Sequence, residues 1–356
     1  MPAVISADKS REELRHWHQT DPEGLVDYAF DLQRELRRLR DAVAQNSRNS
    51  SLPPSTDRSE KPQPQSLRQK SGHPVSEATL QAARAEQHAA LEPYENRLVE
   101  ILPKEPVLHA DETSVPIHQV NHWLHVLCTP LLTFFAVHVK RGKEAIEAIG
   151  IVPKFTGWLM HDFLSSYLSF ENCQHTFCKS HLRRELVFLF EQHHQGWARD
   201  LHDLFLEMLQ SVRALKARDG PPTQRQYRRW QKQYRRLLRT GRGANPLTPQ
   251  QRAMKRCKQS KAQNLLDRLQ GYEDAIPAFL WALELPFTNN EAERDFRMMK
   301  VRVKISGGFR TLEGARRHAR IRSYISTLRK HGLPVLEYLR RPLDGRPFLP
   351  QPTKST

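Results

Sequence analysis

Three short apolar runs near the middle of the chain constrain its fold more than any other feature. They cover residues 107–111, 122–128 and 131–139, are rich in Val, Leu, Phe and Trp, and are separated by turn residues. Runs of this length and composition predict β-strands. Because the connections between them are short, we expect consecutive antiparallel hairpins.

The segments that follow alternate between helix and strand. The sequence predicts a helix at 142–149, a strand at 157–161, a short strand around 175–177 and a helix at 181–192. A strand reached through a helical crossover lies parallel to one of its neighbours. The order β-β-β-α-β-α-β-α therefore predicts an α/β protein in which helices flank the mixed sheet of the ribonuclease H-like fold.

The flanking segments suggest a division into domains. Apolar residues in 22–44 alternate four and three positions apart, which predicts an N-terminal helix that either forms a coiled coil or packs on the body of the protein. The next stretch is rich in Ser, Pro and charge, which is typical of a disordered linker. We expect a helix at 1–45, a linker at 46–74, a helical lead-in at 75–106, a catalytic domain at 107–341 with a helical insertion at 193–285, and a tail at 342–356.

Positive charge is concentrated in two tracts. The chain has 56 Lys and Arg against 39 Asp and Glu, a net charge of +17, and 213–261 and 294–341 together carry more than that excess. A localised excess favours a polyanionic partner such as nucleic acid over a uniformly solubilised surface. The candidate phosphate contacts are Arg228, Arg229, Arg235, Arg236, Arg294, Arg297, Lys300, Arg302 and Lys304.

The first tract, 213–261, has two possible roles. Its charges could contact nucleic acid, or they could form an ordinary solvated helix face. Tyr227, Trp230 and Tyr234 lie at helical spacing among the arginines, so they share one face. That spacing favours packing of the aromatic rings against the protein over stacking on bases.

Three acidic residues occupy comparable places on the predicted elements. Asp111 ends the first predicted strand, Asp162 follows the fourth, and Glu293 lies on the last predicted helix, which starts near Asn289. If the two strands are parallel neighbours, both aspartates emerge at one sheet edge. Converging carboxylates are the hard oxygen ligands that phosphodiester chemistry with two divalent cations requires. Any one of these residues, taken alone, could instead cap a helix or form a salt bridge and have no role as a metal ligand.

Four sequence blocks resemble the signature blocks of the insertion-sequence 66 transposases. They are HADETS (109–114), GWLMHDFLSSY (157–167), CKSHLRREL (178–186) and FTNNEAERDFRMMKVRVKISGGFRT (287–311). The resemblance covers about residues 76–350, and NNEAER is its most specific part. It implies a DNA transposase with an Asp-Asp-Glu core that cleaves the 3′ ends of an insertion sequence and joins them to target DNA.

The resemblance also implies roles for particular residues. The metal ligands would be Asp111, Asp162 and Glu293, with Glu291 as the alternative to Glu293. Two Mg²⁺ ions, replaceable by Mn²⁺, would be the cofactors. Double-stranded DNA, both transposon ends and target, would be the partner, and a homo-oligomer is one candidate assembly. Asn289 and Asn290 are expected to cap and position the last helix.

Cys178 and His181 form a C-x-x-H pair similar to a motif found in many such transposases. We expect a structural role for them, a buried thiol beside a hydrogen-bonded imidazole. Zinc binding is the alternative, but adding Cys173 and His175 produces no established ligand spacing.

One part of the family pattern is missing. Family members usually carry a cysteine-rich zinc element and a helix-turn-helix after the linker, whereas here Ser71 and Gly72 run almost directly into PVSEATL. We therefore expect weak recognition of specific transposon ends. A non-catalytic DNA-binding regulator and a ribonuclease H-type nuclease remain alternative functions.

The chain has neither a bilayer-length apolar run nor a CxxC pair. We therefore expect a protein of the bacterial cytoplasm that is associated with the nucleoid when it binds DNA and has no contact with membranes.

Overall fold

The computed structural model describes residues 76–217, 222–253 and 258–353. The predicted helix at 1–45 and linker at 46–74 lie outside the described residues. None of the helices within the described ranges is long and apolar enough to cross a membrane.

A five-stranded mixed sheet organises the described chain. In spatial order the strands run β3-β2-β1-β4-β5. β1 to β3 are antiparallel neighbours, and β4 and β5 run parallel to β1. The five predicted strands and the antiparallel pairing of the first three are confirmed, and the sheet is consistent with the ribonuclease H-like fold. The α-helix that the order β-β-β-α-β-α-β-α implies between the fourth and fifth strands is wrong, because only the short 3-10 helix Tyr167–Ser169 lies there. The strands are β1 (Val107–Ile117), β2 (Val120–Cys128), β3 (Thr133–His138), β4 (Trp158–His161) and β5 (Gln174–Phe177).

The first strand is longer than predicted, so the expectation that Asp111 ends it is wrong. β1 stays paired with β2 as far as Ile117↔Val120, although its parallel pairing with β4 covers only Val107–His109. The polar residues after Asp111 interrupt the apolar run but still alternate across the hairpin, which the antiparallel partner tolerates. Asp111 thus lies just beyond the point where β1 and β4 separate.

Helices surround the sheet and fill the long connection between β5 and the sequence block at 287–311. Their bounds, within the described part of the chain, are α1 (Glu77–Ala90), α2 (Glu92–Ile101), α3 (Lys143–Ile149), α4 (Lys179–His193), α5 (Gly196–Lys216), α6 (Gln224–Ala244), α7 (Pro249–Ala253), α8 (Lys261–Gly271), α9 (Asn290–Ser306), α10 (Leu312–Lys330) and α11 (Val335–Arg340).

Helix α9 is held across the sheet by an apolar stripe. Ala292, Phe296 and Met299 are buried at helical spacing and share a core cluster with residues of β1, β2 and β3. The Phe296 ring lies 6.1 Å from that of Phe135 on β3. This packing sets the position of Glu293, one residue from Ala292, relative to the sheet.

Helix α10 was not predicted. Its buried positions are mostly small or hydroxylated, such as Ala315, Ala319 and Ser323, so the sequence shows little apolar periodicity. The Ser323 hydroxyl accepts a hydrogen bond from the Phe135 backbone N–H at 2.8 Å. Small side chains therefore allow close packing on β3, while buried Tyr324 and Leu328 add apolar contacts.

Candidate active site

Asp111 and Asp162 lie together where β1 and β4 separate. Asp162 follows the last residue of β4, and its Oδ1 accepts a hydrogen bond from the Leu164 N–H at 2.9 Å. Burial raises the pKa of Asp111 to about 7, with further contributions from the neighbouring charges of Glu112 and Asp162. Such crowding of carboxylates favours either a proton or a cation at this position.

Glu112 is a site residue that the sequence analysis missed. Its Oε1 accepts hydrogen bonds from Arg141 Nε at 3.0 Å and Nη2 at 2.8 Å, and Tyr167 Oη donates to its Oε2 at 2.9 Å. Burial, followed by the charge of Asp162, raises the pKa of Glu112. The two adjacent acidic residues, Asp111 and Glu112, were the only sequence feature that pointed to Glu112. The neighbouring sequence does not identify Arg141 or Tyr167 as its partners.

Glu293 lies in the first turn of α9 beside the start of α4. A sulfur, a ring nitrogen and a carboxylate oxygen from Cys178, His181 and Glu293 all lie within 4.8 Å of one another. Arg184 Nη2 is 3.5 Å from Glu293 Oε1. Glu293 thus lies beside Cys178 and His181 of the C-x-x-H motif, at the start of α4, and beside Arg184 on the same helix.

His181 links this group to the aspartates. Burial alone would lower its pKa, but Cys178 and, more weakly, Asp111 raise the pKa of His181 to about 9. Burial likewise opposes ionisation of Cys178, yet the hydrogen bond from His181 brings the pKa of the thiol below its ordinary value. His181 thus lies close to Glu293 and also interacts with Asp111.

The other two residues of the hypothetical zinc cluster have separate partners. Cys173 donates to the Phe170 carbonyl at 3.5 Å. His175 Nδ1 lies 2.9 Å from His161 Nε2, and its Nε2 lies 3.0 Å from the Phe170 carbonyl. Cys173 and His175 therefore do not share the group formed by Cys178 and His181.

Asn289 precedes α9, but the expectation that its side chain caps the helix is wrong. Its Oδ1 lies 2.7 Å from His109 Nδ1, and its Nδ2 donates to the Ala110 carbonyl at 2.9 Å. Its backbone N–H donates to Cys178 Sγ at 3.2 Å. Buried between strand and helix, Asn289 ties the start of α9 to β1 next to Asp111, because satisfying polar groups there outweighs capping.

Asn290 and Glu291 take no part in the hydrogen bonds that join the start of α9 to β1. Asn290 is the exposed first residue of α9. Glu291 forms an ion pair with Arg294 at 3.3 Å. Since residues two apart point to nearly opposite sides of a helix, Glu291 does not take the place of Glu293 beside His181.

The carboxylates fit a divalent cation of the hard class. Asp111, Asp162 and Glu293 offer oxygen atoms only, which Mg²⁺ and Mn²⁺ prefer. The raised pKa of Asp111 reflects burial first and the negative charge of Glu112 and Asp162 second, and a bound cation would favour the ionised carboxylate. The Cys178–His181–Glu293 group, in contrast, offers sulfur, nitrogen and oxygen.

The candidate phosphate contacts form two surfaces. On α6, Trp230 and Tyr234 are buried and Tyr227 is half-buried, which confirms packing of the aromatics, whereas Arg228, Arg229, Arg235 and Arg236 are exposed on the same helix. On α9 the exposed residues are Arg294, Arg297, Lys300 and Lys304. Arg302 is half-buried, with its guanidinium carbon 4.5 Å from the Phe309 ring centre.

Comparison with known proteins gives the family of the chain. No curated protein sequence matches the chain. A family model described as "Transposase IS66 family" matches residues 61–317, which is more than half of the chain and includes Asp111, Asp162 and Glu293. The chain therefore belongs to the IS66 family of transposases.

Proposed function

We propose that this transposase cleaves the 3′ ends of an insertion sequence and joins them to target DNA, with Asp111, Asp162 and Glu293 as its metal ligands. The observation that supports the proposal is that His181 has ligand atoms within 4.8 Å of Glu293 and interacts with Asp111, which in turn interacts with Asp162, although these residues come from distant parts of the chain. Membership of a transposase family makes DNA the substrate class and divalent metal the expected cofactor.

The reaction consists of two phosphoryl transfers. In the first, water attacks the phosphorus at the end of the element, the P–O3′ bond breaks, and the element's 3′ hydroxyl is released. In the second, that hydroxyl attacks a phosphorus of the target, forming a new phosphodiester and releasing the target's own 3′ hydroxyl. Two Mg²⁺ ions, or Mn²⁺, would supply activation of the attacking oxygen and stabilisation of the leaving oxygen.

The chain's own residues hold the ligands in place. Arg141 and Tyr167 fix Glu112, so that β1 cannot twist away from the site. Asn289 holds the start of α9 against β1. Protonated His181 offsets part of the negative charge of the carboxylates while no cation is bound.

Basic residues next to Glu293 would hold the DNA strand. Arg294, Arg297 and Lys300 are exposed on the turns of α9 that follow Glu293. Guanidinium and ammonium groups there can contact phosphates on both sides of the scissile bond. The arginines of α6 would provide a second contact surface.

Replacing Asp162 with Asn tests the proposal. We expect Mg²⁺-dependent cleavage and joining of labelled duplexes to fall by at least about a hundredfold, since one ligand charge is lost. Affinity for DNA should stay within about twofold, because the basic surfaces are unchanged. Asp200→Asn, at an exposed position on α5, is the matched control and should behave like the wild type.

Other results of this experiment would contradict the proposed function. Retained cleavage in Asp162→Asn would remove this residue from the catalytic group, and equal loss of cleavage and binding would make it structural. A wild-type protein that binds but never cleaves is the non-catalytic regulator. One that cleaves without joining strands is the ribonuclease H-type nuclease.

A further inference from the structure

Three arginines from three helices meet at a half-buried site remote from the carboxylates. They are Arg84 on α1, Arg302 on α9 and Arg322 on α10, and we call them the arginine cluster. His318 lies among them, with Nδ1 3.3 Å from Arg84 Nη2. Its ring is 5.4 Å from that of Phe309, over which Arg302 stacks. Arg302 is about 13 Å along the axis of α9 from Glu293.

The cluster makes no ion pair with a carboxylate of the described residues, although Asp295 acts on Arg322 from a greater distance. None of its arginines lies within 4.0 Å of a carboxylate there, because nearby acids pair elsewhere: Glu95 with Arg320, Glu313 with Arg317 and Asp295 with Lys330. The Nε atoms of Arg302 and Arg322 are buried without a hydrogen-bond partner in the described chain. Burying cations in this way costs free energy unless a partner is supplied.

The electrostatics agree with the geometry. Burial, followed by the charge of Arg317, lowers the pKa of Arg84, and burial followed by Arg84 lowers that of Arg302. Burial together with the surrounding arginines lowers the pKa of His318 to about 3. At neutral pH the site therefore holds three guanidinium charges around a neutral imidazole, and the charge of Arg84 acts unfavourably on Arg302.

We propose that the arginine cluster binds the phosphate backbone of DNA. Guanidinium groups match phosphate oxygens in bidentate geometry. The basic residues of α9 provide continuity, because exposed Arg297, Lys300 and Lys304 extend from the neighbourhood of Glu293 towards the cluster. The separation of about 13 Å corresponds to roughly four base steps of one strand at about 3.4 Å each. The inference rests on the proposed function, since it gives the same DNA a second point of contact.

A site that is completed by its ligand should be more stable without that ligand when two of its three positive charges are removed. The double variant Arg84→Gln/Arg322→Gln is therefore expected to have a higher Tm than the wild type without DNA. With a labelled duplex of about 30 base pairs, its Kd should rise at least about tenfold at 0.1 M salt, and the slope of log Kd against log salt should flatten by about 1.8, or about 0.9 for each lost phosphate contact.

The control carries the same change of charge at exposed positions. Lys154→Gln/Arg346→Gln should leave Tm unchanged and should raise Kd less than about threefold, by the general loss of charge alone. Both doubles should fold, because the control changes surface side chains and the test variant replaces arginines by amides that keep hydrogen-bonding capacity.

The outcomes separate this inference from the proposed function. If the wild type fails to bind the duplex, the proposed function itself is wrong. If the wild type binds and Arg84→Gln/Arg322→Gln binds equally, with the same salt slope, the cluster does not contact DNA. A lower Tm with unchanged DNA affinity would mean that a carboxylate of the protein fills the site. Stabilisation by inorganic phosphate alone, again with unchanged DNA affinity, would assign it to a small anion.

Discussion

Adjacent acidic residues on β1 serve different purposes because successive side chains of a strand point to opposite faces. Asp111 shares its face with His109, whose ring contacts Asn289, and interacts with Asp162 and His181. Glu112 lies on the other face and is held by Arg141 and Tyr167. One carboxylate is thus left available for a cation, while its neighbour is already neutralised by the protein.

Lys179 is a buried charge next to the site that the proposed reaction does not use. Its side chain is fully buried, with Nζ 3.3 Å from Thr176 Oγ1 and 5.1 Å from the Phe279 ring centre. No carboxylate of the described chain lies within 4.0 Å of it, and burial lowers the pKa of Lys179 to about 7.

Replacing Lys179 with Met should stabilise the protein at pH 7. The pKa of lysine in the unfolded chain is about 10.4, so between pH 7 and 10 the unfolded state binds more protons and stability rises with pH. Lys179→Met should raise the free energy of unfolding at pH 7 by at least about 1 kcal/mol and flatten this pH dependence. Denaturant unfolding at pH 7 and pH 10 measures both effects.

Lys154→Met, which removes an exposed lysine, is the control and should change neither quantity. A fall in stability at pH 7 with an unchanged pH dependence would show that Lys179 contributes through its hydrogen bond and packing, not as a destabilising buried charge.

At the scale of elements, α6 divides its residues between two tasks. Trp230 and Tyr234 pack inward, and Tyr234 Oη donates to the Leu269 carbonyl on α8 at 2.8 Å. The arginines on either side of this pair, at 228, 229, 235 and 236, point to solvent, although Arg235 pairs with Glu273 at 2.8 Å. Only the outward face can therefore contact DNA, and one of its arginines is already partly engaged.

Exchanging Arg228, Arg229, Arg235 and Arg236 for Gln should flatten the salt dependence of DNA affinity. Counterion release contributes about 0.9 to the log-log slope for each neutralised phosphate, so we expect a change of about 2 to 3.6. The fourfold Arg→Lys variant keeps the charge and should retain most of the slope. An identical slope in the Gln variant and the wild type would leave α6 as an ordinary solvated face.

At the scale of the whole molecule, DNA binding and recognition of particular ends are separable. In the proposed function the basic surfaces contact the DNA backbone, whereas reading base edges usually needs a helix or strand dedicated to a groove. The sequence runs from Gly72 to Val75 without the recognition element expected there. The proposed metal site does not depend on such an element.

We therefore expect little preference for terminal-repeat DNA. Competition binding at physiological salt, with a terminal-repeat duplex against a scrambled duplex, should show a ratio far below about a thousandfold, the lower range for specific binders. A ratio above that value would place sequence recognition within the catalytic part of the chain.

The sequence by itself determined the order of strands and the candidate carboxylates. Apolar runs, turn residues and helical periodicity are local properties, so they predicted the five-stranded order and the positions of Asp162 and Glu293 near the ends of their elements. Reliance on local patterns also caused two errors. The polar residues after Asp111 suggested that β1 ends there, and the small buried residues of α10 gave too weak an apolar periodicity to predict that helix.

Only the tertiary structure decided what each residue touches. His109 and Asn289 are 180 positions apart in sequence, and Glu112 meets Tyr167 across 55. The burial and the pKa of each residue depend on such distant partners. The same is true of Asn289, whose side chain bonds to β1 and not to the start of α9. No local pattern encodes them, because the free energy of a buried polar group depends on which groups surround it and not on its neighbours in sequence.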